Sequence, residues 1–126
     1  MDVISIKDFP GIRIGNAQNI EGGTGCTVIL SESGMCAGLD VRGGGPASRE
    51  SELLKPLANA QTIHAVLLGG GSAFGLDAGG GVMQFLEEKD IGFDVGVTKV
   101  PLVCQSDLFD LTVADPHCRP DKAMGY

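Results

Sequence analysis

A run of glycines at residues 69–71 is the first candidate for chemistry in this sequence. It ends an apolar stretch and is followed at once by Ser72 and a helical pattern. Glycines at a strand-to-helix junction either expose backbone N–H groups to an anion or let another backbone approach closely. The spacing does not match the dinucleotide-binding motif, because Phe74 stands where the third glycine belongs. A Walker-type lysine directly after the glycines is absent as well. Close packing is therefore the favoured interpretation, and Ser72 fits a helix N-cap better than a nucleophile.

A second glycine cluster lies beside charged residues. Arg42 precedes Gly43 and Gly44, and Arg49 and Glu50 follow a few positions later. An arginine next to flexible glycines can hold a carboxylate through two hydrogen bonds. The favoured alternative is an ion pair that orders the loop.

The other polar residues fit structural roles. Four acids follow the last apolar run at irregular spacing, matching no calcium-binding loop, and are predicted to be solvated: Asp107, Asp110, Asp115 and Asp121. The cysteines form no CxxC pair, and His64 and His117 are not at metal-ligand spacing from them. We therefore predict no metal site. Cys26 and Cys36 are expected to act as small apolar side chains in strands, and His117 is expected to be exposed.

Composition limits the class of partner. The chain has 126 residues, enough for one domain, and a net charge of −7. It contains no basic stripe, which argues against a nucleic-acid or membrane-surface partner. No apolar stretch is long enough to span a membrane, and the N-terminus lacks a signal-peptide pattern. The expected location is the cytoplasm.

Strands and helices are both predicted. The extended segments are 1–7, 12–17, 26–30, 35–41 and 63–68, the last buried on both faces. The helical segments run from Ser48 to about Leu54, from Phe74 to about Leu86, and from Lys122 onward. Glycines 79–81 inside the second helix each cost up to about 1 kcal/mol relative to alanine. Such a cost predicts that another element packs very close to that helix.

Five segments appear in an order that resembles a known family. They are FPGIRIG at 9–15, TGCTVI at 24–29, DVRGG at 40–44, HAVLLGGGSAFGLDA at 64–78 and RPDKAMGY at 119–126. Together they cover nearly the whole chain, and the stretch 72–78 is the most specific. The sequence resembles the L-aminopeptidase/D-esterase family, which includes the β-peptidyl aminopeptidases and the nylon-oligomer hydrolases.

The resemblance implies an N-terminal-nucleophile hydrolase. Such proteins cut themselves once, and the new N-terminal serine or threonine is the nucleophile, with its α-amine as general base. The implied fold is layered α/β, part of an α-β-β-α sandwich of the aminopeptidase/ornithine-acetyltransferase-like type. The implied substrates are small peptides or amino-acid amides. Oligomers are expected, and neither a metal nor another cofactor is needed.

The chain departs from the family pattern in two respects. The family nucleophile lies beyond the region matched by Tyr126, so no catalytic residue is assigned here, and residues 1–126 correspond to the first half of the segment before the cut. Phe109 stands where several members have a tyrosine, which removes a hydrogen-bond donor for an oxyanion. The residues assigned to a substrate pocket are Arg42, Gly43, Gly44, Gly70, Gly71, Ser72 and Phe109.

Three functions stay open at this point. The first is an aminopeptidase-type hydrolase completed by residues outside this chain. The second is a non-catalytic remnant or interaction module, and the third is a small-anion-binding domain that uses the turn at 69–72. Half of a sandwich leaves one sheet face exposed. We therefore expect association through that face or with a missing C-terminal segment.

Overall fold

The chain is described by a computed structural model over residues 3–126. Its strands and α-helices are β1 (Arg13–Asn19), β2 (Thr24–Met35), β3 (Ala47–Arg49), β4 (Ile63–Gly69), α1 (Ala78–Glu87), β5 (Phe93–Asp94), β6 (Lys99–Val100), β7 (Val103–Asp107) and α2 (Lys122–Gly125). Short 3-10 helices lie at Ile6–Asp8, Ser51–Leu54 and Ser72–Asp77. The last of these leads directly into α1.

Five strands form one mixed sheet in the order β1-β2-β4-β7-β3, and β5 and β6 form a separate ribbon. The central strand β4 is antiparallel to β2 and parallel to β7. A parallel pair requires a crossover between its strands, and the chain makes it through α1. Gly69 of β4 is in register with Asp107 of β7, so both strands end at the same edge of the sheet. The glycine run begins at this edge.

Helices α1 and α2 pack on one face of the sheet, and the core lies between. Ala65 and Leu67 of β4 are fully buried there with Val82 of α1, whereas Leu68 is 48% exposed on the opposite face. Alternation of this kind is expected of a strand with one covered face. The strand predicted at 63–68 is confirmed, but the prediction that both of its faces are buried is wrong for the described chain.

The predicted mixed α/β class is confirmed. Residues 3–126 form one five-stranded sheet with helices on one side. The α-β-β-α sandwich, which needs a second sheet on the other side, stays a prediction. Within the described range no helix is both long and apolar enough to cross a membrane.

The hairpin predicted between 26–30 and 35–41 is wrong. β2 continues from Thr24 to Met35, with a register shift between Leu30 and Met35. Ser31 is buried, and its hydroxyl donates to the Gly34 carbonyl at 3.2 Å. This local bond satisfies the buried hydroxyl of Ser31 within the strand. The residues that suggested a turn therefore form a β-bulge inside β2.

The first two strand predictions had different outcomes. The segment 12–17 is confirmed as part of β1. For the segment 1–7, residues 1 and 2 lie outside the described range, and the rest is not a strand. Ile6–Asp8 forms a 3-10 helix, because Ser5 accepts the N–H of Lys7 and Asp8 accepts the N–H of Ser5.

The helix predicted from Ser48 to Leu54 is wrong in its first half, and only Ser51–Leu54 is helical, as a 3-10 helix. Ser48 lies in β3 and pairs with Ser106 of β7. Glu50 then adopts a left-handed φ of 56°, which ends the strand before the 3-10 helix Ser51–Leu54. Pairing with a distant strand has overridden the local signal of a serine followed by acids.

Two of the three glycines inside α1, Gly79 and Gly81, lie against another element, as predicted. A Cβ at Gly81 would meet the backbone of α2, with the Tyr126 nitrogen only 2.6 Å away. Reciprocally, a Cβ at Gly125 would collide with the backbone of Ala78. The two helices therefore touch backbone to backbone. The predicted helical segments at 74–86 and from Lys122 onward are confirmed, although the first begins as a 3-10 helix.

The four cysteines are free thiols. Cys26 lies in the core, as expected of a small apolar side chain, and Cys104 is buried as well. Cys36 is exposed, so the same expectation is wrong for it. It follows Met35 at the point where the chain leaves β2, and no neighbouring strand covers it there.

Candidate functional site

A cleft of about 770 Å³ opens at the edge where β4 and β7 both end. Its walls come from the ends of β1 and β2, the glycine run and the segment after β7. Polar and apolar groups both line it, including Thr24, Leu68, Gly70, Ser106, Asp107, Leu108 and Asp110. The cleft thus gathers side chains from segments that are far apart in the sequence.

The glycine turn after β4 is held by a carboxylate from the segment after β7. Asp110 accepts the N–H of Gly71 through Oδ1 and the hydroxyl of Thr24 through Oδ2, each at 2.7 Å. A Cβ at Gly70 would collide with this carboxylate and lie 2.5 Å from Thr24 Oγ1. Gly71 has a φ of 81°, in the left-handed region that glycine adopts readily. Position 70 requires glycine because a side chain there would collide with Asp110 and Thr24. Position 71 favours glycine because its backbone is left-handed.

Residues 108–110, here called the hook, are also tied to the turn by backbone hydrogen bonds. The N–H of Leu108 donates to the Gly69 carbonyl at 2.8 Å, and its carbonyl accepts the N–H of Ser72 at 3.0 Å. With the two bonds of Asp110, the hook and the turn form one continuous hydrogen-bonded rim of the cleft.

The backbone amides of the turn are already in use. The N–H groups of Gly70, Gly71 and Ser72 donate to oxygens of Gly25, Asp110 and Leu108, respectively. No N–H of these three residues is left to hold an anion, and the acceptor for Gly71 is itself a carboxylate. The anion-cradle alternative is therefore wrong at this turn, and the favoured interpretation of close packing agrees with the structure.

Asp107 contributes a half-buried carboxylate to the cleft. The side-chain amide of Gln105 donates to both of its oxygens at 3.0 Å and to the Gly75 carbonyl at 2.8 Å. Burial raises the pKa of Asp107 above its ordinary value of 3.8, and the charge of Asp110 raises it further, whereas the bond from Gln105 lowers it. Asp107 therefore holds a proton more tightly than a solvated aspartate does.

The prediction that the four late acids are solvated is wrong for Asp107 and Asp110, whereas Asp115 and Asp121 are exposed. Asp107 is half-buried, Asp110 is tied to the turn, and Asp121 caps α2 by accepting the N–H of Met124 at 2.9 Å. Asp115 is exposed, and so is His117, as expected. Among residues 3–126, no three or more His, Cys, Asp or Glu side chains are grouped so that they could hold a metal ion.

The structure brings some of the predicted pocket residues to the cleft. Gly70 lines it, and Gly71 and Ser72 form the turn behind Gly70. Ser72 has a φ of 54°, which is unusual for a residue other than glycine. The N-cap position is Gly71, and within the described chain no side-chain bond caps this 3-10 helix, so the N-cap role predicted for Ser72 is wrong. Phe109 is 66% exposed on the hook, beside the lining residues rather than among them.

The other predicted pocket residues lie elsewhere. Arg42, Gly43 and Gly44 belong to an exposed loop between β2 and β3, and none of them lines the cleft. Arg42 Nε donates to Asp40 Oδ2 at 2.7 Å, with both side chains largely exposed. The favoured interpretation, an ion pair in the loop, is confirmed with Asp40 as the partner.

Sequence reasoning missed Thr24, Leu108 and the roles of Asp107 and Asp110. One signal was present: two aspartates three residues apart follow a short apolar run, in the same way that the glycine run follows β4. The sequence did not reveal that β4 pairs in parallel with β7. This pairing brings the ends of the two strands together. Local sequence does not encode such a long-range register.

Similarity to known proteins supports a specific family. The model of peptidase family S58 matches residues 5–123. The chain belongs to peptidase family S58. The predicted resemblance to the L-aminopeptidase/D-esterase family, in its N-terminal part, is thereby confirmed.

Curated relatives of this S58 chain carry enzyme names. An uncharacterised aminopeptidase of Mycobacterium leprae (strain TN) is 42% identical over 97% of the chain and 36% of its own length. A 6-aminohexanoate-oligomer endohydrolase of Kocuria sp. (strain KY2) is 34% identical over 94% of the chain and 31% of its own length. The chain therefore spans about a third of the length of these relatives.

Proposed function

We propose that this chain forms the part before the self-cleavage site of an N-terminal-nucleophile hydrolase acting on small peptides or amino-acid amides. The observation that carries the proposal is the family S58 match over residues 5–123. The names of the relatives, an aminopeptidase and an oligomer hydrolase, agree with amide-bond hydrolysis. The cleft beside the glycine turn is the proposed substrate site.

Two hydroxyl groups that line the cleft are already engaged in hydrogen bonds, which favours a nucleophile supplied from outside residues 1–126. Thr24 is buried and donates to Asp110, and Thr27 donates to Asn16 at 2.6 Å. A serine or threonine nucleophile needs a base close to its hydroxyl. His64 lies near the far end of β4, where burial lowers its pKa and its Nδ1 accepts the N–H of Leu102 at 3.2 Å. A new N-terminal residue would bring its own amine as the base.

In this proposal the chain provides the walls of the site. Asp110 fixes the glycine turn, and Gln105 fixes the carboxylate of Asp107 at the rim. Rigid placement of such groups is what a hydrolytic site requires of its scaffold. Phe109 has no hydrogen-bond donor, so the oxyanion of the reaction must be stabilised by other groups.

An interaction module without catalysis is the second candidate. It is favoured by the uncovered face of the sheet, on which Ile14 and Leu68 are exposed by 44% and 48%. A contiguous exposed apolar surface is typical of a contact site. The two candidates differ in whether amide substrates are turned over once the nucleophile segment is present.

A chimera tests the hydrolase proposal. The segment of the Kocuria endohydrolase that aligns with this chain is replaced by residues 1–126, and the product is assayed on 6-aminohexanoate oligomers and amino-acid p-nitroanilides. We expect the chimera to cleave itself and to hydrolyse amides, because the cleft and the nucleophile are then in one protein. The isolated 126-residue chain is expected to be inactive on the same substrates.

Two results would contradict the proposal. Turnover by the isolated chain would show that the nucleophile lies within residues 1–126. A folded, self-cleaved chimera without amide hydrolysis would favour the interaction module. The unmodified endohydrolase serves as the control for the assay.

A further inference from the structure

We propose that Leu108 is a specificity-determining residue, which makes the cleft select substrates with an aliphatic side chain over substrates with a carboxylate side chain. The inference rests on the proposed function, since it concerns the same cleft. It is carried by the way the hook presents this side chain, by its neighbour Leu68 and by the charges around them.

The backbone of Leu108 is fixed on both sides. Its N–H and its carbonyl bond to the glycine turn, and Asp110 two residues later holds the same turn through Gly71 and Thr24. The carbonyl of Asp110 also accepts the N–H of Val113 at 2.9 Å. An ordinary surface loop has few such bonds to the elements around it. The position of the Leu108 backbone, and with it the point from which the side chain enters the cleft, is therefore set by the fold.

This fixed residue points an apolar side chain at solvent. Leu108 is 62% exposed and lines the 770 Å³ cleft. Leu68, which is 48% exposed, lines the same cleft from the end of β4. Single exposed leucines are common on protein surfaces. Two that line one cleft, one of them on a rigid backbone, form an apolar wall that a substrate side chain can cover.

The charges of the cleft also disfavour a substrate with a carboxylate side chain. Of the described residues that line it, only Asp107 and Asp110 carry a charged group, and none is Lys, Arg or His. A carboxylate entering this cleft meets two like charges and no cation. An aliphatic side chain gains apolar contact at the leucine wall without that repulsion. The cleft should thus discriminate mainly on the charge and polarity of the substrate side chain.

Binding to the full 126-residue chain tests this without requiring turnover. The leucine methyl groups are labelled with carbon-13, and the chain is titrated with L-leucine amide and with L-aspartic acid α-amide. We expect L-leucine amide to shift the methyl signals of Leu68 and Leu108 and to bind roughly tenfold more tightly than the aspartic acid amide. In Leu108→Ala the ratio of the two affinities should fall close to one. Leu108→Met, which restores an apolar side chain, should recover the ratio.

The matched control is Leu57→Ala, because Leu57 is 96% exposed and lies outside the cleft. It should leave the ratio unchanged. An unchanged ratio in Leu108→Ala, or titration shifts that avoid both leucines, would overturn the inference. Failure of the hydrolase proposal looks different, because the chimera would then be inactive while the isolated chain still selects L-leucine amide.

Discussion

Asp107 and Asp110 stand three residues apart, yet their surroundings give them different properties. Both oxygens of Asp110 are occupied, one by a backbone N–H and the other by a hydroxyl, each at 2.7 Å. Both oxygens of Asp107 share a single amide donor from Gln105. A half-buried carboxylate with so little hydrogen bonding is costly to ionise. Asp110 is thus part of the scaffold, and Asp107 is a carboxylate whose pKa is raised by burial.

Stability should therefore depend on the charge of Asp107. Its pKa is raised in the folded state, so its contribution is favourable below 3.8 and is lost as the pH rises through the folded pKa. Asp107→Asn keeps an acceptor for Gln105 and removes the charge. We expect the variant to melt roughly 2–5 °C higher at neutral pH, with the gain shrinking as the pH approaches 3.8.

Glu87→Gln is the control for this measurement, since Glu87 is exposed at the end of α1 and the substitution removes the same charge. Thermal melting followed by circular dichroism over a pH series would report both variants. An equal gain in the two would mean that net charge, not the burial of Asp107, sets the effect.

At the level of elements, the contact between α1 and α2 depends on which glycine of the triplet faces the partner helix. Gly81 touches the backbone of α2, whereas nothing in residues 3–126 lies within 4 Å of a Cβ placed on Gly80. Gly80→Ala should stabilise the chain by roughly 0.5–1 kcal/mol through helix propensity. Gly81→Ala should destabilise it by roughly 1–3 kcal/mol, because α2 must move.

Urea unfolding of the two variants measures this difference, and each serves as the control for the other because they share a helix and a substitution. Similar shifts in the same direction would mean that α2 is not held against α1. In Gly81→Ala we also expect the N–H of Tyr126, which bonds to the Lys122 carbonyl, to exchange faster with solvent.

The helix with a clear apolar period and several strand segments were predictable from sequence, whereas the pairing of the strands was not. The spacing of Val82 and Leu86 identified α1, and the three glycines correctly indicated a close neighbour. Ser48 carried the signal of a helix start, yet it pairs with Ser106 in the sheet. Strand register depends on partners far along the chain. For the same reason the cleft could not be predicted, since Asp107 and Gly69 meet only through the pairing of β4 with β7.

At the level of the whole molecule, the sheet has one covered and one uncovered face. Ile14, Ile29, Val66 and Leu68 alternate with the core-facing residues of their strands and so lie on the uncovered side. Edge strands β1 and β3 flank this surface. Contiguous apolar surface next to free strand edges promotes association.

We therefore expect the isolated chain to self-associate in size-exclusion chromatography with light scattering. Leu68→Glu should shift the population toward single chains, because it places a charge on the central strand of the uncovered face. Leu57→Glu introduces the same charge at a residue that is 96% exposed and outside the sheet, and should have no effect. A single chain at every concentration tested would contradict the expectation.

The parallel pairing of β4 with β7 has a consequence for how the molecule assembles. Strands β1, β2 and β4 precede α1 in the chain, whereas β7 follows it, so the pairing of β4 with β7 spans the whole crossover. The continuous rim of the cleft is made by the glycine turn after β4 and the hook after β7. We therefore expect the cleft to be completed late in folding, because non-local contacts close slowly. Local unfolding of β7 would remove the cleft and release β3, while β1, β2 and β4 stay paired.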